Sequence, residues 1–474
     1  MQMSALTREI TTSETSLDET AVAELRKRFR GELLLPTDAG YEAHRRVWNA
    51  AIDRYPSLIA RCTGTRDVVE VVKFARERDL TVSVRGGGHN IAGLAVWDGA
   101  VMIDLSRMKG VQVDAVARLA RAQGGVTWGD YDHETQAFGL ASPGGLQSTT
   151  GIGGFTLGGG FGWLSRTHGL ACDNLERVEV VTASGEITSA GPEENEDLFW
   201  GLRGGGGNFG IVTSFTYRLH PVGPEVMCGI RFFRADDISK VLRFVRDFVP
   251  QAPNQVFVGC TLRTAAPAPF LPPEVHGTRV IGMAMFFAGP ADEGEKALEP
   301  LRSFAKPIAD IVQRRPYTVW QQILDNGWGP GAQNYWKAEY LRVPDDAGID
   351  TITDHFSRVT SPLSDIKFAG LGGAVSSVAP EDSAYTHRKA PFILNINTRW
   401  DRGDADEHIA WTRGLWSAMR LQSAGGVYMN FLGQEGPERV LEAYGEEKFK
   451  RLSNLKSRYD PTNFFHVNQN IPPM

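Results

Sequence analysis

Three short, glycine-rich stretches constrain this chain more than any other feature of its sequence. They span residues 85–90, 144–162 and 204–210, and the second holds seven of the chain's 52 glycines within twelve positions. Ordering a glycine in a regular element costs roughly 0.5–1 kcal/mol relative to alanine. Such clustering indicates backbone that must approach something closely, and a phosphate held by consecutive N–H groups is the usual reason. Tight turns between strands are the alternative interpretation.

The rest of the composition is that of an ordinary globular protein of about two or three domains. Of its 474 residues, 42% are hydrophobic, and the net charge is −6. Because no Lys/Arg cluster follows a helix face, we expect no nucleic-acid partner. The four cysteines are too few for a disulfide framework and form no C-x-x-C pair that would indicate zinc.

Neither a targeting segment nor a membrane span is expected. The first twenty residues lack the apolar core of a signal peptide. No later run reaches the ~20 apolar residues that a membrane helix needs. We therefore expect a cytoplasmic enzyme without a membrane partner and without a metal.

Hydrophobic periodicity predicts an α+β fold in two parts. Thr65 is expected to cap a helix, and residues 211–219 alternate as a half-buried strand. Two prolines and a glycine within residues 220–224 mark the best boundary in the chain. A last helix is predicted at Glu446–Tyr459. The other predicted strands are Thr81–Arg85, Val101–Leu105, Leu119–Gln123, Glu176–Thr182, Glu186–Ser189, Val226–Phe233, Gln255–Leu262, Arg279–Phe287 and Phe392–Trp400, and the other predicted helices are Asp237–Phe248, Glu293–Phe304 and Asp404–Met419.

The third glycine stretch matches the dinucleotide motif G-x-G-x-x-G as a string, at Gly205, Gly207 and Gly210. That motif requires a strand before it and a helix after it, whereas here a strand pattern follows. We therefore reject a Rossmann fold and expect no nicotinamide nucleotide. The chain also lacks the P-loop motif, the G-x-S-x-G turn of serine hydrolases and the H-E-x-x-H of zincins.

Two nucleophilic residue types adjoin the glycine stretches. His89 follows three glycines directly, and Cys172 lies just past the second stretch. Alone, a loop histidine is more often a hydrogen-bonded structural residue, and such a cysteine is usually an inert small hydrophobic residue. Because each adjoins a loop expected to hold phosphate, together they are interpreted as side chains directed at one cofactor.

Four segments resemble FAD-linked oxidases of the vanillyl-alcohol-oxidase superfamily. Residues 85–90, Arg-Gly-Gly-Gly-His-Asn, resemble its R-[SG]-G-G-H-[SDN] segment. Residues 151–163 and 169–174 are similar to the berberine-bridge-enzyme-like branch, and the tail, residues 428–470, resembles that branch's C-terminal element. The resemblance extends from near residue 50 to the end of the chain. The combination is specific, although each glycine run alone is not.

The resemblance implies a PCMH-type FAD-binding domain of two subdomains, with an inserted α+β substrate domain built on an antiparallel sheet. An N-terminal segment, residues 1–51, is expected to pack on the FAD domain, residues 52–223. The substrate domain is expected to span residues 224–426. Residues 427–474 would form the berberine-bridge-like element that completes the FAD domain.

By the same resemblance, FAD is held by two covalent bonds, from His89 to the flavin 8α-methyl and from Cys172 to C6. Tyr428 takes the position of the family's general base. Independently, a substrate that loses hydride to flavin N5 must also lose a proton, and a phenol with a pKa of ~10 needs its anion stabilised. Lys337 and Arg402 are candidates for the stabilising cation. The alternative for Tyr428 is a core aromatic residue with a satisfied hydroxyl.

The resemblance and the glycine stretches together define a predicted FAD site. Thr150 falls where relatives carry a small residue thought to control oxygen access, which favours an oxidase over a dehydrogenase. The predicted cofactor-binding residues are Arg85, Gly86, Gly87, Gly88, Asn90, Gly93, Ser142, Pro143, Gly145, Thr149, Thr150, Gly151, Gly153, Gly154, Gly158, Gly160, Phe161, Gly162, Trp163, Gly210, Ile211, Asn430, Asn468 and Asn470.

Two aromatic segments, residues 334–340 and 385–388, are predicted either to line a pocket for a flat polyphenol or sugar ring or to be amphipathic strand faces. The candidate pocket residues are Tyr335, Lys337, Tyr340 and His387.

The function expected from the sequence is a FAD oxidase whose partners are a small molecule and molecular oxygen. It would take hydride from an alcohol-type or specialised-metabolite substrate and reduce O₂ to H₂O₂. A carbohydrate oxidase, an oxidative-cyclisation enzyme and a flavin-binding protein with little turnover are the competing interpretations.

Overall fold

Two larger β-sheets and one two-stranded sheet form the N-terminal half of the protein in a computed structural model that describes residues 17–474. The first sixteen residues of the expected N-terminal segment lie outside it. The strands of this half are β1 Glu32–Leu34, β2 Leu58–Arg61, β3 Val82–Arg85, β4 Val101–Asp104, β5 Val111–Asp114, β6 Leu119–Gln123, β7 Leu140–Ala141, β8 Leu175–Val181, β9 Ile187–Ala190, β10 Ile211–Arg218 and β11 His220–Pro221. The first sheet has the order β1-β2-β4-β3 and is mixed, with β4 parallel to both neighbours. The second is antiparallel, with the order β5-β6-β10-β8-β9.

Strand β10 is the centre of the five-stranded sheet, and its first half, residues 211–215, is buried on both faces. The expected half-buried pattern is present in the second half, where Tyr217 is buried between the less buried Thr216 and the exposed Arg218. It fails in the first half, because Val212 and Ser214 are buried as well. One face packs with Trp128. On the other face, Thr213 Oγ1 donates a hydrogen bond to a neighbouring carboxylate at 2.9 Å. Because β10 follows Gly210 directly, the structure confirms that the third glycine stretch precedes a strand rather than a helix.

An eight-stranded antiparallel sheet forms the centre of the second half. Its strands are β12 Glu225–Arg234, β13 Val256–Thr264, β14 Arg279–Phe287, β15 Ala309–Asp310, β16 Gln313–Pro316, β17 Gln333–Leu341, β18 Asp365–Gly370 and β19 Phe392–Trp400. Their order is β15-β12-β14-β13-β18-β19-β17, and β16 also pairs with β12. The predicted bounds of β14 and β19 are confirmed, as is the α+β fold with a large antiparallel sheet.

Sixteen α-helices accompany these sheets within the described residues. They are α1 Glu19–Arg28, α2 Tyr41–Arg45, α3 Thr65–Glu77, α4 Trp128–Gln136, α5 Ile152–Leu157, α6 Ser165–His168, α7 Glu196–Leu202, α8 Ile238–Phe248, α9 Ala291–Ala297, α10 Glu299–Ser303, α11 Tyr317–Gln321, α12 Asp346–Phe356, α13 Ala374–Ser377, α14 Ala405–Met419, α15 Pro437–Tyr444 and α16 Glu446–Tyr459. Helix α16 has its predicted bounds, and α14 begins after its N-cap Asp404.

Three local predictions are corrected by the structure. Gly64, not Thr65, is the N-cap of α3, and the Thr65 hydroxyl donates to Glu179 at 2.8 Å instead. The single helix expected over Glu293–Phe304 is two short helices, because Pro300 occupies the first turn of the second. The prolines of residues 220–224 do not end every element, since β11 pairs with β7.

The two faces of the eight-stranded sheet have different neighbours, because side chains alternate along a strand. On one face, Leu262, Ile366 and Ile396 pack beneath α8, α12 and α14. On the other, Phe257 and Ile393 pack in a core shared with the N-terminal half. We call these the helix face and the cavity face.

The chain before residue 52 packs on both halves, not only on the predicted FAD domain. Helix α1 packs on α3, and β1 pairs with β2. The backbone N–H of Trp48 donates to the Gly88 carbonyl at 3.1 Å, while its indole Nε1 donates to the Trp328 carbonyl at 3.0 Å. Asn49 Nδ2 donates to the Asn334 carbonyl at 3.1 Å. This segment therefore joins the first glycine stretch to the eight-stranded sheet.

A buried ion pair fixes the C-terminal tail to the third glycine stretch. Lys456 and Asp460 lie at the end of α16, both fully buried, with 2.6 Å between Nζ and Oδ2. Lys456 Nζ also donates to the carbonyls of Asn208 at 2.7 Å and Phe465 at 2.9 Å. The Asn208 side chain in turn accepts from the Ile471 N–H at 2.9 Å. One ammonium group thus holds the helix, the glycine stretch and the chain end together.

We predict that Lys456→Met destabilises the protein strongly. Removing one partner of a buried ion pair leaves an uncompensated charge, at a cost of about 3–5 kcal/mol. The measurement is the free energy of unfolding in urea. Arg458→Met is the matched control, because Arg458 pairs with Asp197 on the exposed side of the same helix, and such pairs contribute about 1 kcal/mol or less. Equal losses in the two variants would contradict the assignment.

Candidate active site

One cavity of about 330 Å³ lies where the three glycine stretches meet the cavity face of the eight-stranded sheet. It gathers residues from both halves and from the tail. The predicted site residues that line it are Gly86, Gly87, Gly88, His89, Asn90, Gly145, Thr150, Gly151, Gly153, Gly154, Gly158, Phe161, Gly210, Ile211, Tyr428, Asn430 and Asn468.

Gly87 and Gly151 bring the first two glycine stretches into backbone contact. An added Cβ on Gly87 would lie 2.3 Å from the amide nitrogen of Gly151, and one on Gly151 would lie 2.3 Å from that of Gly87. No side chain fits at either position. Part of the close approach expected of these glycines is therefore to the backbone of the other stretch.

The first glycine stretch offers an anion-binding backbone to the cavity. The N–H groups of Gly87, Gly88, His89 and Asn90 donate to no backbone carbonyl of the described residues, and all four residues line the cavity. Backbone N–H groups are obligatory donors, and successive ones form a nest for anions. This backbone fits the pyrophosphate of a dinucleotide.

Gly154 and Gly207 leave room for a ligand to approach. Both line the cavity, and nothing in the described protein lies within 4 Å of a Cβ added to either. Beside them, Asn468 Nδ2 donates to the Phe465 carbonyl at 2.9 Å, whereas its buried Oδ1 has no partner among the described residues. A buried acceptor of this kind is normally satisfied, so a ligand donor is expected there. The N–H groups of residues 87–90, the open space beside Gly154 and Gly207, and the unpaired Asn468 oxygen together fit FAD.

His89 lines the cavity and stacks on Trp48, with the ring centroids 5.3 Å apart and 21° between the planes. Desolvation lowers the pKa of His89 to about 4. The imidazole is therefore neutral at pH 7 and keeps a nitrogen lone pair for bonding. This is the state that a covalent attachment residue requires.

The structure does not bring Cys172 to the cavity wall. Its side chain is fully buried in the core between the two halves, where Sγ donates to Asp173 Oδ1 at 3.6 Å. Burial and the neighbouring Asp173 raise the pKa of the thiol, although the thiolate is the reactive form. This placement lends no support to the second covalent bond at Cys172, which stays a prediction. Within the second glycine stretch, Gln147 is a residue that lines the cavity.

Tyr428 lines the cavity from the start of the tail. Its side chain is 2% exposed, and its ring contacts Phe161 and Phe431, with centroids 5.2 and 4.9 Å away. The hydroxyl oxygen accepts from the Gly160 N–H at 3.1 Å and from Asn430 Nδ2 at 2.9 Å. These donors stabilise negative charge on the oxygen and leave its own proton free. Burial nevertheless raises the pKa of Tyr428 above its ordinary value.

The cation expected beside Tyr428 is neither of the predicted residues. Lys337 lies on the helix face of β17, where its ammonium pairs with Glu435 and stands 4.6 Å from the Trp416 ring centroid. Arg402 is exposed in the turn after β19. The backbone and amide donors described above take the place of a cation.

None of the four predicted pocket residues lines the cavity. Tyr335, like Lys337, is on the helix face, where Arg413 Nε donates to the Tyr335 hydroxyl at 3.0 Å. Tyr340 is on the cavity face but buried, and its hydroxyl lies 2.6 Å from that of Tyr385. His387 Nε2 lies 3.3 Å from a backbone carbonyl of α15. The first of the two aromatic segments is a strand with two different faces, and its Trp336 does line the cavity.

Several predicted cofactor-binding residues do not line the cavity but contact the residues or backbone around it. The Gly160 N–H donates to the base candidate, a Cβ on Gly93 would meet the Ile52 side chain at 2.6 Å, and Ser142 Oγ donates to the Arg218 carbonyl at 2.6 Å. The predicted residues that do not line the cavity are Arg85, Gly93, Ser142, Pro143, Thr149, Gly160, Gly162, Trp163 and Asn470.

The candidate pocket residues chosen from the sequence did not include the side chains that the second half supplies, although Trp336 lies in the first aromatic segment. Trp336 on β17, Lys367 on β18 and Asn395 on β19 line the cavity, as does Trp328 in the loop before β17. The three strand residues lie on the cavity face. The alternation of side chains along β19 could have identified Asn395, because the bounds of this strand were predicted correctly.

The described residues meet neither the requirements of a metal site nor those of a membrane-spanning helix. They contain no group of three or more His, Cys, Asp or Glu side chains placed to hold a metal ion. No helix among them has the length and apolar character to cross a bilayer. All four cysteines are buried and free.

The chain is similar in sequence and fold to known FAD-linked proteins. Residues 56–191 match the family model "FAD binding domain", and residues 427–472 match "Berberine and berberine like". The chain is 35% identical to the FAD-linked oxidoreductase pgmH of Aspergillus terreus over 94% of each chain, and 31% identical to an FAD-linked oxidoreductase of Dictyostelium discoideum over 90% of this chain and 91% of that one. The crystal structure of 6-hydroxy-D-nicotine oxidase from Arthrobacter nicotinovorans superposes with a TM-score of 0.85 at 26% identity, covering 94% of this chain and 98% of that one. The chain belongs to the berberine-bridge-enzyme-like family of FAD-linked oxidoreductases.

Proposed function

We propose that this protein is an oxidase that takes a hydride and a proton from an alcohol-type or specialised-metabolite substrate and reduces O₂ to H₂O₂. One observation carries the proposal: a single cavity collects the anion-binding backbone of residues 87–90, the neutral imidazole of His89 and the Tyr428 hydroxyl. Thr150, a small side chain in the same wall, supports oxygen access and hence an oxidase rather than a dehydrogenase.

FAD is the cofactor, and its proposed contacts follow the polar groups of the cavity. The nest of residues 87–90 would hold the pyrophosphate, the open backbone at Gly154 and Gly207 would admit the rest of the cofactor, and Asn468 Oδ1 would accept a hydrogen bond. When bound, FAD supplies the hydride acceptor and the route of the electrons to oxygen. We propose that His89 alone forms the covalent bond, to the flavin 8α-methyl carbon.

Tyr428 is the proposed general base. It takes the proton of the substrate hydroxyl or amine, and the donors from Gly160 and Asn430 stabilise the phenolate that this requires. Because burial raises the pKa of Tyr428, only a small fraction is phenolate near neutral pH. That fraction grows about tenfold for each pH unit below the pKa, so the proton-transfer step should accelerate as the pH rises.

Photoreduction followed by oxygen exposure tests the function directly. We expect the purified protein to retain flavin, to reoxidise rapidly in air and to release about one H₂O₂ for each reduced flavin, because O₂ takes up the two electrons of one hydride. A flavin that stays reduced in air would favour the flavin-binding protein with little turnover. A panel of alcohols, sugars and phenolic metabolites, screened for peroxide release, then separates a carbohydrate oxidase from an oxidase of alcohols or phenolic metabolites.

We predict that Gly154→Leu impairs FAD binding without destabilising the cofactor-free fold. Its side chain would enter open cavity space and meet no protein atom within 4 Å of its Cβ. Gly151→Ala is the contrasting variant, because its Cβ would meet the Gly87 backbone and should lower the melting temperature. The measurements are flavin content and thermal unfolding. Full flavin content in Gly154→Leu would argue against FAD in this cavity.

We predict that Tyr428→Phe slows flavin reduction and leaves fold and flavin content intact. The ring packing is kept and only the hydroxyl is lost. General-base catalysis typically contributes about 10²–10⁴-fold, or roughly 3–5 kcal/mol of barrier. The measurement is anaerobic stopped-flow reduction with a substrate from the screen. A reduction rate within about threefold of wild type, far below that range, would remove Tyr428 from the mechanism.

A pH series and a matched hydroxyl deletion control this experiment. The wild-type reduction rate should rise across pH 6–9 without a plateau, and the rise should vanish in Tyr428→Phe. Tyr335→Phe removes a hydroxyl from the opposite face of the sheet and should keep both the rate and the pH dependence. A wild-type rate that is flat over this range would contradict the base assignment.

A further inference from the structure

Lys367 is the one lysine or arginine among the described residues that line the cavity, and no aspartate or glutamate lines it. It lies on the cavity face of β18, where the strand register pairs it with Asn395 of β19. An ammonium and an amide therefore stand side by side on the wall that faces the glycine stretches. The proposed mechanism uses neither.

The charge around Lys367 is not balanced by the protein. Asp365 accepts from Lys367 Nζ at 2.5 Å and from the Trp328 indole at 2.7 Å. Arg263 of β13 lies opposite Asp365 in the strand register, and Arg399 of β19 lies on the same face of the sheet. Three cationic side chains thus lie near one carboxylate, and of these only Lys367 forms an ion pair with it. Burial lowers the pKa of Lys367, Arg399 and Arg263 lower it further, and Asp365 opposes them, so an anion in the cavity would complete the compensation.

Aromatic rings form the wall between Lys367 and Tyr428. Lys367 Nζ stands 4.6 Å from the Trp328 ring centroid. Trp336 contacts Phe431 with centroids 5.7 Å apart, and Phe431 contacts Tyr428 at 4.9 Å. Flat rings suit walls of this kind, and a few polar groups then fix their orientation.

We infer that the substrate is an aromatic compound bearing an anionic oxygen group, a carboxylate or a phenolate, which Lys367 and Asn395 bind while the oxidised carbon lies toward Tyr428. The inference rests on the proposed oxidase function, because it assigns the substrate to the same cavity. Lys367 is then the residue that determines specificity for charge. A neutral sugar would leave Asp365 as the one carboxylate beside Lys367, Arg263 and Arg399, and would add no negative charge to offset their excess positive charge.

The test uses the flavin-loaded protein and two probes of equal shape, benzoate and benzamide. Binding is followed by the change in the flavin absorbance spectrum at constant ionic strength, so no turnover is needed. We expect wild-type protein to bind benzoate at least about tenfold more tightly than benzamide, the usual worth of a hydrogen bond to a charged group. Equal affinities, or no benzoate binding, would overturn the inference.

Variants locate the effect. Lys367→Met should remove the preference for benzoate while keeping benzamide binding, and Lys367→Arg should restore much of it. Lys337→Met is the matched control, because Lys337 also pairs with a carboxylate and stands 4.6 Å from a tryptophan ring, but on the helix face; it should keep the preference. A Lys367→Met protein that loses both probes equally, or whose flavin spectrum changes without a probe, would contradict a substrate role.

The outcomes separate this inference from the proposed function. A protein that holds flavin and reoxidises in air but shows no benzoate preference refutes the anionic substrate alone. A protein that holds no flavin refutes the oxidase proposal. If Lys367→Met does not fold, the wild-type comparison of benzoate with benzamide and the Lys367→Arg variant still decide the question.

Discussion

The backbone contact between Gly87 and Gly151 is the constraint on which the rest of the site depends. Each position excludes a side chain because the other strand of backbone occupies the space of its Cβ. The contact holds the end of the four-stranded sheet against the loop that leads into α5. With the backbone fixed there, the N–H groups from Gly87 to Asn90 have no carbonyl of the described protein to pair with and are left for a ligand. Glycine is thus required twice, once for packing and once for binding.

Around this contact, the two halves contribute different chemistry. The N-terminal half and the tail supply backbone donors, His89 and Tyr428, whereas the eight-stranded sheet supplies indole rings, Lys367 and Asn395. Trp48 and Asn49 join the halves through hydrogen bonds to Trp328 and Asn334. This arrangement lets cofactor binding and substrate selection be carried by separate surfaces of one cavity. Variation on the sheet surface would then change the substrate while the flavin chemistry stays the same.

Local patterns predicted the elements well, because strand and helix periodicity is written in consecutive residues. The bounds of β14, β19 and α16 follow from it, and the glycine strings located the loops that line the cavity. What failed required knowledge of which face is covered. Side chains alternate along β17, so Tyr335 and Lys337 lie on the face opposite Trp336. That face is covered by helices, and the sequence of the strand alone does not show which face they cover. The covalent bond at Cys172 stays a prediction: the residue adjoins a glycine stretch in sequence, and its thiol lies in the core beside Asp173. Lys367 carried no motif, and only pairing with β19 placed it beside Asn395.

The central proposal is that this cavity holds FAD through one covalent bond, at His89. The most direct measurement is proteolytic digestion of acid-denatured wild-type protein, followed by mass spectrometry of the peptides that carry His89 and Cys172. The account predicts that the His89 peptide carries the mass of FAD less two hydrogens and that the Cys172 peptide is free to be alkylated. Release of all FAD on denaturation, or flavin on the Cys172 peptide, would contradict it.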